Sequence, residues 1–169
     1  AFTDELHAVQ LVWGYFVGIF TTLLVYFAIR GESLSTLTKT SRPLLQWMRG
    51  GYLAASIMSL FIGLTFLPLA EATAIGFMAP LFITGLSMPL LGEKVSAHRW
   101  LAVVAGLVGV AIIVRPGSGL WQWTAVMPLI GAVCFALYQL TTRMLTATEN
   151  THTILFYTGL TGVIWSTVT

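Results

Sequence analysis

The chain has 169 residues, of which 57% are hydrophobic and only 8% are charged, and its formal net charge is +2. An ordinary soluble domain has about 25% charged residues, so a soluble fold of this length could not bury so much apolar surface. The composition therefore predicts an integral membrane protein, and the small net charge gives no support for a nucleic-acid partner. The single cysteine, Cys134, excludes an internal disulfide.

Long apolar runs predict membrane-spanning helices, because a helix needs about 20 mostly apolar residues to cross a bilayer. In chain order, the predicted spans are residues 9–29, 51–69, 72–91, 100–114, 120–140 and 153–169. A polar stretch separates the first two spans, whereas the second and third form a tight hairpin around Pro68 and Glu71. The predicted fold class is therefore all-α, a polytopic membrane helix bundle with these six transmembrane helices.

The basic residues are distributed unequally between the two sides of the predicted bundle. Seven of the eight lie in loops on one side: Arg30, Lys39, Arg42, Arg49, Lys94, Arg99 and Arg143. The other side has Arg115 together with Asp4, Glu5 and Glu71. The positive-inside rule makes the basic side cytoplasmic, so the N-terminal end lies outside. Because the chain begins with Ala and shows no signal peptide, this orientation leads us to expect a further helix upstream.

Two segments far apart in the sequence resemble each other. Residues 7–14 and 152–159 both run from a His to a Gly with the same spacing, and both begin an aromatic, Gly-bearing helix. In the predicted topology the first of these spans runs inward and the last runs outward. A repeat with opposite orientation is typical of many secondary transporters.

Several polar or kinked positions are candidates for a binding site. Pro80 and Pro89 interrupt the third span, because proline removes a helix hydrogen bond. A kink at Pro80 would open a pocket near the middle of the membrane, where transporters bind substrates, and a simple packing kink is the alternative. Glu71, at the outer rim, either binds a cation or proton or stabilises a helix N-terminus. Gln139 either contacts substrate or hydrogen-bonds a neighbouring helix.

Two groups of small residues predict close helix packing. They are Gly14 and Gly18 in the first span and Ala102, Ala105, Gly106 and Gly109 in the fourth. We expect these small residues to pack helices of one protein together rather than to form a dimer, although a homodimer stays an alternative. Tryptophans near the ends of spans, Trp13, Trp47, Trp100, Trp121 and Trp123, are interpreted as interfacial anchors.

The sequence lacks the motifs of the common enzyme classes. Its histidines, His7, His98 and His152, lie at the ends of different spans, and there is no HExxH, Cys–His cluster or P-loop. No pair of opposite charges lies in the middle of a predicted span. We therefore predict no enzymatic activity, no cofactor and no metal.

Four stretches in order resemble the EamA domain of the drug/metabolite transporter superfamily. Residues 67–82 are similar to the family's turn between its third and fourth helices, and residues 91–100 resemble its "LGE+ … RW" loop. Residues 105–117 are similar to the family's fifth helix and the exit from it, and residues 136–143 resemble the end of its sixth helix. Some members of the family with a stretch similar to residues 42–50 are importers of S-adenosylmethionine or riboflavin.

The resemblance implies ten helices arranged as two inverted repeats of five. Residues 1–117 would then be the first repeat without its first helix, and residues 118–169 the truncated start of the second. It also implies a permease in the bacterial inner membrane that moves a small organic metabolite or drug by alternating access. Its partners would be that small molecule and the lipid bilayer, with no nucleic acid.

The predicted substrate-binding residues are Tyr52, Met58, Phe77, Met78, Pro80, Tyr138 and Gln139, with Glu71 as a carboxylate at the rim. Two alternatives to a transporter remain open. One is a membrane scaffold or assembly protein that transports nothing, and the other is an intramembrane enzyme.

Overall fold

The structure is a computed structural model that describes residues 8–31, 34–114 and 125–168. These residues form eight helices and no strand: α1 (Ala8–Arg30), α2 (Leu34–Thr38), α3 (Pro43–Phe66), α4 (Leu69–Gly76), α5 (Ala79–Leu91), α6 (Ala97–Val114), α7 (Val126–Thr146) and α8 (Thr151–Val168). The all-helical fold class predicted from composition is confirmed. His7, Arg115, Trp121 and Trp123 lie outside the described residues.

Four helical stretches are long and apolar enough to cross a membrane within the described residues. They are Gln10–Arg30, Pro43–Phe66, Leu69–Leu91 and Val126–Thr146, which correspond to the first, second, third and fifth predicted spans. The fourth predicted span is the shorter apolar helix Ala97–Ile112. The sixth is α8, which begins at Thr151 and is not among the four.

The predicted boundaries of two spans are wrong. The second span was placed at residues 51–69, whereas α3 begins at Pro43, a residue suited to the first turn of a helix. Arg49 is therefore a helix residue and not a loop residue. The fifth span was placed at residues 120–140, whereas α7 continues to Thr146, so that Arg143 lies in its last turn. In both cases the segment beyond the predicted span is polar and helical.

By internal contacts the chain divides into two units, and each has its own packing. Unit 1 comprises residues 1–54 and 141–169, and unit 2 comprises residues 55–140. In unit 1, α1 packs along α8, and Phe27, Leu37 and Phe156 form a buried cluster. In unit 2, Leu67 is buried together with Ala72 and Ile75.

Glycines produce the close helix contacts, but they are not the glycines predicted from spacing. A Cβ on Gly14, Gly18, Gly106 or Gly109 would have no atom within 4 Å. In unit 1, Gly162 of α8 instead lies against the Phe16 ring of α1, and Gly50 of α3 lies against Thr161. In unit 2, a Cβ on Gly131 would lie 3.1 Å from the carbonyl oxygen of Ser56. Close packing through these four glycines is therefore a wrong prediction for the described residues, because no atom of a neighbouring helix comes within 4 Å of a Cβ at any of them.

Candidate functional site

The third membrane-spanning stretch, Leu69–Leu91, is interrupted after its first eight residues. Helix α4 ends at Gly76, α5 begins at Ala79, and Phe77 and Met78 form a short turn between them. Pro80 occupies the first turn of α5 and has no N–H to donate to the carbonyl of Gly76. The interruption at Pro80 predicted from the sequence is therefore present. Helix breaks of this kind are tolerated in membranes where the freed backbone lines a cavity or is buried in protein.

A groove of about 360 Å³ lies beside this break, within unit 2. Its lining residues are Phe77, Met78, Pro80, Leu81, Thr84, Arg99, Ala102, Val103, Gly106 and Leu107. One wall is therefore the break and the start of α5, and the other is the small-residue face of α6. Thr84 donates its hydroxyl to the Pro80 carbonyl oxygen at 2.8 Å. Arg99, at the start of α6, is the charged residue among those that line the groove. Its Nη1 lies 4.0 Å from Glu93 Oε2.

Three of the predicted binding residues line this groove, and the others do not. Phe77 is 72% exposed, Pro80 is exposed and Met78 is half-buried. Met58, Tyr138 and Gln139 are half-buried in the same unit but are not among the lining residues. The Tyr138 ring packs against Phe135 with their centroids 5.9 Å apart. Tyr52 is half-buried in unit 1. A role in substrate binding stays a prediction for all of them.

Glu71 lies in the first turn of α4 and is half-buried. The N-terminal end of a helix carries partial positive charge, so a carboxylate at this position stabilises the helix. This position agrees with the helix-stabilising alternative, whereas a role for Glu71 in binding a cation or proton stays a prediction.

A second polar site lies in unit 1, in a segment that the sequence predicts to be a loop. Arg49 is only 3% exposed, although it belongs to a helix apolar enough to span a membrane. Its Nε donates to Thr142 Oγ1 at 2.7 Å, and its Nη1 donates to Thr158 Oγ1 at 2.6 Å and to the Ile154 carbonyl oxygen at 3.2 Å. The guanidinium thus links α3 to the end of α7 and to α8. Ionisable residues inside a membrane bundle are costly and are generally functional.

Gln46 precedes Arg49 by three residues, and the two side chains therefore lie on the same face of α3. Gln46 is fully buried, and neither its Oε1 nor its Nε2 has a hydrogen-bond partner among the described residues. Nearly all buried polar atoms in folded proteins are hydrogen-bonded, and leaving one without a partner costs about 1–3 kcal/mol. This amide is therefore an exception that needs a physical explanation.

The sequence contained a signal for this site that the hydropathy windows missed. Gln46 and Arg49 follow Pro43 with helical spacing, and Gly50 and Gly51 come immediately after them. The glycines allow α8 to approach, so that a Cβ on Gly51 would lie 3.2 Å from the Trp165 ring. Proline at a helix start, polar residues on one face and paired glycines together predict a buried polar contact better than a cytoplasmic loop.

Among the described residues, no group of three or more His, Cys, Asp or Glu side chains could hold a metal ion.

Comparison with known proteins gives three informative relatives. The S-adenosylmethionine uptake transporter of Rickettsia prowazekii (strain Madrid E) is 26% identical over 156 residues, which are 92% of this chain and 52% of that protein. The pseudopaline exporter of Pseudomonas aeruginosa (strain UCBPP-PA14) is 33% identical over 80% of this chain and 48% of that protein.

The riboflavin transporter of Rhizobium johnstonii is 36% identical over 92 residues, which are 54% of this chain and 30% of that protein. The chain spans about half the length of the S-adenosylmethionine transporters it matches. No solved structure matches it significantly.

The apolar helices and these relatives show a multi-pass membrane protein, and for bacterial proteins of this type the membrane is the inner membrane. Residues 3–115 match the EamA-like transporter family over most of the chain. The resemblance seen in the four sequence stretches is thereby confirmed, and the chain belongs to the EamA-like transporter family.

Proposed function

We propose that this protein is a secondary transporter that moves a small organic metabolite across the bacterial inner membrane by alternating access. The observation that carries the proposal is the groove beside the break between α4 and α5. Transporters commonly bind substrates at discontinuous membrane helices near the bilayer midplane. An apolar groove with a single cationic side chain, Arg99, fits a solute that has a substantial apolar part.

The relatives support a metabolite as the substrate and leave its direction of movement open. By their names, they take up S-adenosylmethionine, transport riboflavin or export pseudopaline. These three molecules form the first panel of candidate substrates. Because both an uptake protein and an exporter are similar to this chain, flux is best measured in both directions.

The test is flux into and out of proteoliposomes that contain the purified protein and each labelled member of the panel. We expect saturable flux of at least one member that exceeds the flux in protein-free liposomes. Replacing Phe77 by Ala at the groove should lower this flux. The matched control is Phe66→Ala, because Phe66 is 65% exposed in the same unit but does not line the groove.

Each alternative function makes a different prediction for the same assay. A membrane scaffold would give no flux for the panel or for a broader set of metabolites. An intramembrane enzyme would convert a panel member into a product without moving it, which chromatography of the vesicle contents would detect. Equal flux in Phe77→Ala and Phe66→Ala would contradict the assignment of the groove.

A further inference from the structure

A short segment that precedes α3 is fastened to α8 within unit 1. Leu37, in the five-residue helix α2, is 1% exposed and packs in a buried cluster with Phe27 of α1 and Phe156 of α8. Burying a leucine side chain removes its apolar surface from water, which stabilises the buried position. Leu37 therefore holds α2 against both of these helices.

Hydrogen bonds fasten the same segment a few residues further along the chain. Tyr157 of α8 donates its hydroxyl to the Thr38 carbonyl oxygen at 3.1 Å, and its ring packs against the buried cluster. Ser41 donates its backbone N–H and its hydroxyl to Oε1 of Glu149, which lies in the loop before α8. Hydrogen bonds to an ionised acceptor are stronger than those between neutral groups. Residues 37–41 are thus fastened to α8 and to the loop that leads into it, and we call them the latch.

The latch joins two parts of the chain that we expect to move against each other during transport. Residues 37–41 lie within residues 3–115, which match the family model, whereas α8 begins at Thr151 and lies in the predicted second repeat. In inverted-repeat transporters, alternating access is largely a rocking of one repeat against the other. A contact between the matched repeat and α8 therefore has to change when the repeats rock.

The contacts of the latch are of a kind that can open locally. The hydrogen bonds from Ser41 and Tyr157 are all exposed to solvent, and within residues 37–41 the buried side chain is that of Leu37. Segments with exposed hydrogen bonds and few buried apolar contacts open before the rest of a protein unfolds. Residues 37–41 can therefore leave α8 while α1 and α8 remain folded.

We propose that residues 37–41 are a releasable latch, which holds α8 in its present position and has to release it in each transport cycle. This inference rests on the proposed transport function for its consequence. The fastening itself rests on the burial of Leu37 and on the hydrogen bonds of Thr38 and Ser41. A permanent tie between α2 and α8 is the competing explanation, and it predicts that residues 37–41 stay on α8 throughout transport.

The first experiment bridges the latch covalently in proteoliposomes. In a Cys134→Ala background, Ser41→Cys is combined with Glu149→Cys and treated with ethanediyl bismethanethiosulfonate. Each of the two thiolates forms a mixed disulfide with one end of the reagent and releases methanesulfinate, which leaves a short bridge that mass spectrometry detects. The solute is the member of the S-adenosylmethionine, riboflavin and pseudopaline panel that the unbridged protein moves. We expect the bridge to reduce its flux to that of protein-free liposomes, and dithiothreitol, which reduces both disulfides, to restore it.

The single variants are the matched controls for the bridge. Ser41→Cys and Glu149→Cys each react with the same reagent on one side of the latch, where no bridge can form, so both should retain flux. Undiminished flux in the bridged protein would overturn the proposal, because a latch that need not open is a permanent tie. An equal loss of flux in the single variants would also overturn it, because modification without a bridge would then suffice.

The second experiment measures release of the latch without transport. Leu37→Cys, again in the Cys134→Ala background, places a thiol in the buried cluster, where N-ethylmaleimide reaches it when the latch opens. Lys39→Cys is the control, because Lys39 is exposed in the same segment. We expect Leu37→Cys to react more slowly than Lys39→Cys. Adding Tyr157→Phe should raise the rate at position 37 by about 2- to 10-fold, the factor that corresponds to one typical hydrogen bond, and should leave the rate at position 39 unchanged.

Failure of the latch and failure of the transport function are distinguishable. Equal rates at positions 37 and 39, or a rate at position 37 that Tyr157→Phe leaves unchanged, would show that these contacts do not hold the latch and would overturn the inference. Absence of flux in the unbridged protein would instead overturn the proposed function. A slow rate at position 37 that rises in Tyr157→Phe, without flux of any panel member, would leave a releasable contact and remove its role in transport.

Discussion

Glu149 Oε1 accepts hydrogen bonds from both the backbone N–H of Ser41, at 2.8 Å, and the Ser41 hydroxyl, at 2.6 Å. The two residues lie in different loops, one before α3 and the other between α7 and α8. Tyr157 adds a second link by donating to the Thr38 carbonyl oxygen at 3.1 Å. These contacts place the two loops at the same end of unit 1, which is the end that the basic residues predict to be cytoplasmic. The Ser41–Glu149 pair therefore links α3 and α8 at the end from which both helices start.

The stability provided by this pair should depend on pH. The hydrogen bonds from Ser41 hold the pKa of the Glu149 carboxyl below its ordinary value of 4.5, so near that pH the folded protein binds fewer protons than the unfolded chain. The contribution is therefore complete above pH 4.5 and is lost as the pH falls below it. We expect the thermal midpoint to fall more in the wild type than in Glu149→Gln between about pH 6 and pH 3.5, with a difference of about 1–3 °C. Thermal unfolding in detergent measures this difference, and parallel pH profiles of the two proteins would contradict the prediction.

The packing of α8 on α1 should depend on Gly162. A methyl group there would overlap the Phe16 ring, which is fully buried and cannot move away without disturbing unit 1. We expect Gly162→Ala to destabilise the protein by about 1–3 kcal/mol, as overpacking of a dense core does. Gly14→Ala is the control, because a Cβ on Gly14 has no atom within 4 Å. Thermal unfolding of both variants tests this assignment. A larger loss of stability in Gly14→Ala than in Gly162→Ala would show that Gly14 and Gly18 form a close helix contact after all.

Sequence reasoning succeeded where one physical cause dominates. The apolar runs predicted the membrane helices, because the length of hydrophobic chain needed to cross a bilayer is set by the bilayer itself. The break at Pro80 was predictable for a similar reason, since a proline lacks the N–H that the preceding turn requires. Phe77 and Met78, two of the predicted binding residues, lie at this break, and the structure places both at the groove.

Sequence reasoning failed where the result depends on which face of a helix meets another helix. Hydropathy averages over all faces of a helix, so it predicts a loop at Gln46 and Arg49, although both side chains are buried. Small-residue spacing likewise shows that a face could pack closely, but not that a partner lies there, and Gly14 and Gly106 have none within 4 Å. The sequence places Tyr52, Met58, Tyr138 and Gln139 on or next to predicted spans, but it does not show which side of a helix faces a groove.

Filling the groove should reduce transport without reducing stability. Gly106 lines the groove and a Cβ there has no neighbouring atom within 4 Å, so Gly106→Leu adds a side chain at the groove. We expect at least a several-fold loss of flux and an unchanged thermal midpoint. The control is Gly109→Leu, because Gly109 also faces open space on α6 but does not line the groove. If both leucine variants transport equally well, the groove does not hold the solute.

Removing the unsatisfied amide of Gln46 should stabilise the empty protein. Methionine is close to glutamine in length and flexibility, so Gln46→Met keeps the packing and removes two buried polar atoms that have no partner among the described residues. We expect stability to rise by up to about 1–3 kcal/mol, which is the cost of leaving such a group unsatisfied. Gln139→Met is the control, because Gln139 is only half-buried and its amide is not among these buried, unpartnered atoms.

Packing within unit 1 and binding of a ligand are the two roles open to the Gln46 amide. They predict changes of opposite sign in the thermal midpoint of Gln46→Met. If Gln46 contributed to the packing of unit 1, its replacement would lower the thermal midpoint of the ligand-free protein and affect flux only through the loss of folded protein. If the amide is kept for a ligand, the variant should be more stable when empty and should transport less, because a group that serves binding is often retained at a cost in stability. A thermal midpoint that falls in Gln46→Met would therefore contradict the ligand-binding role, whatever the flux.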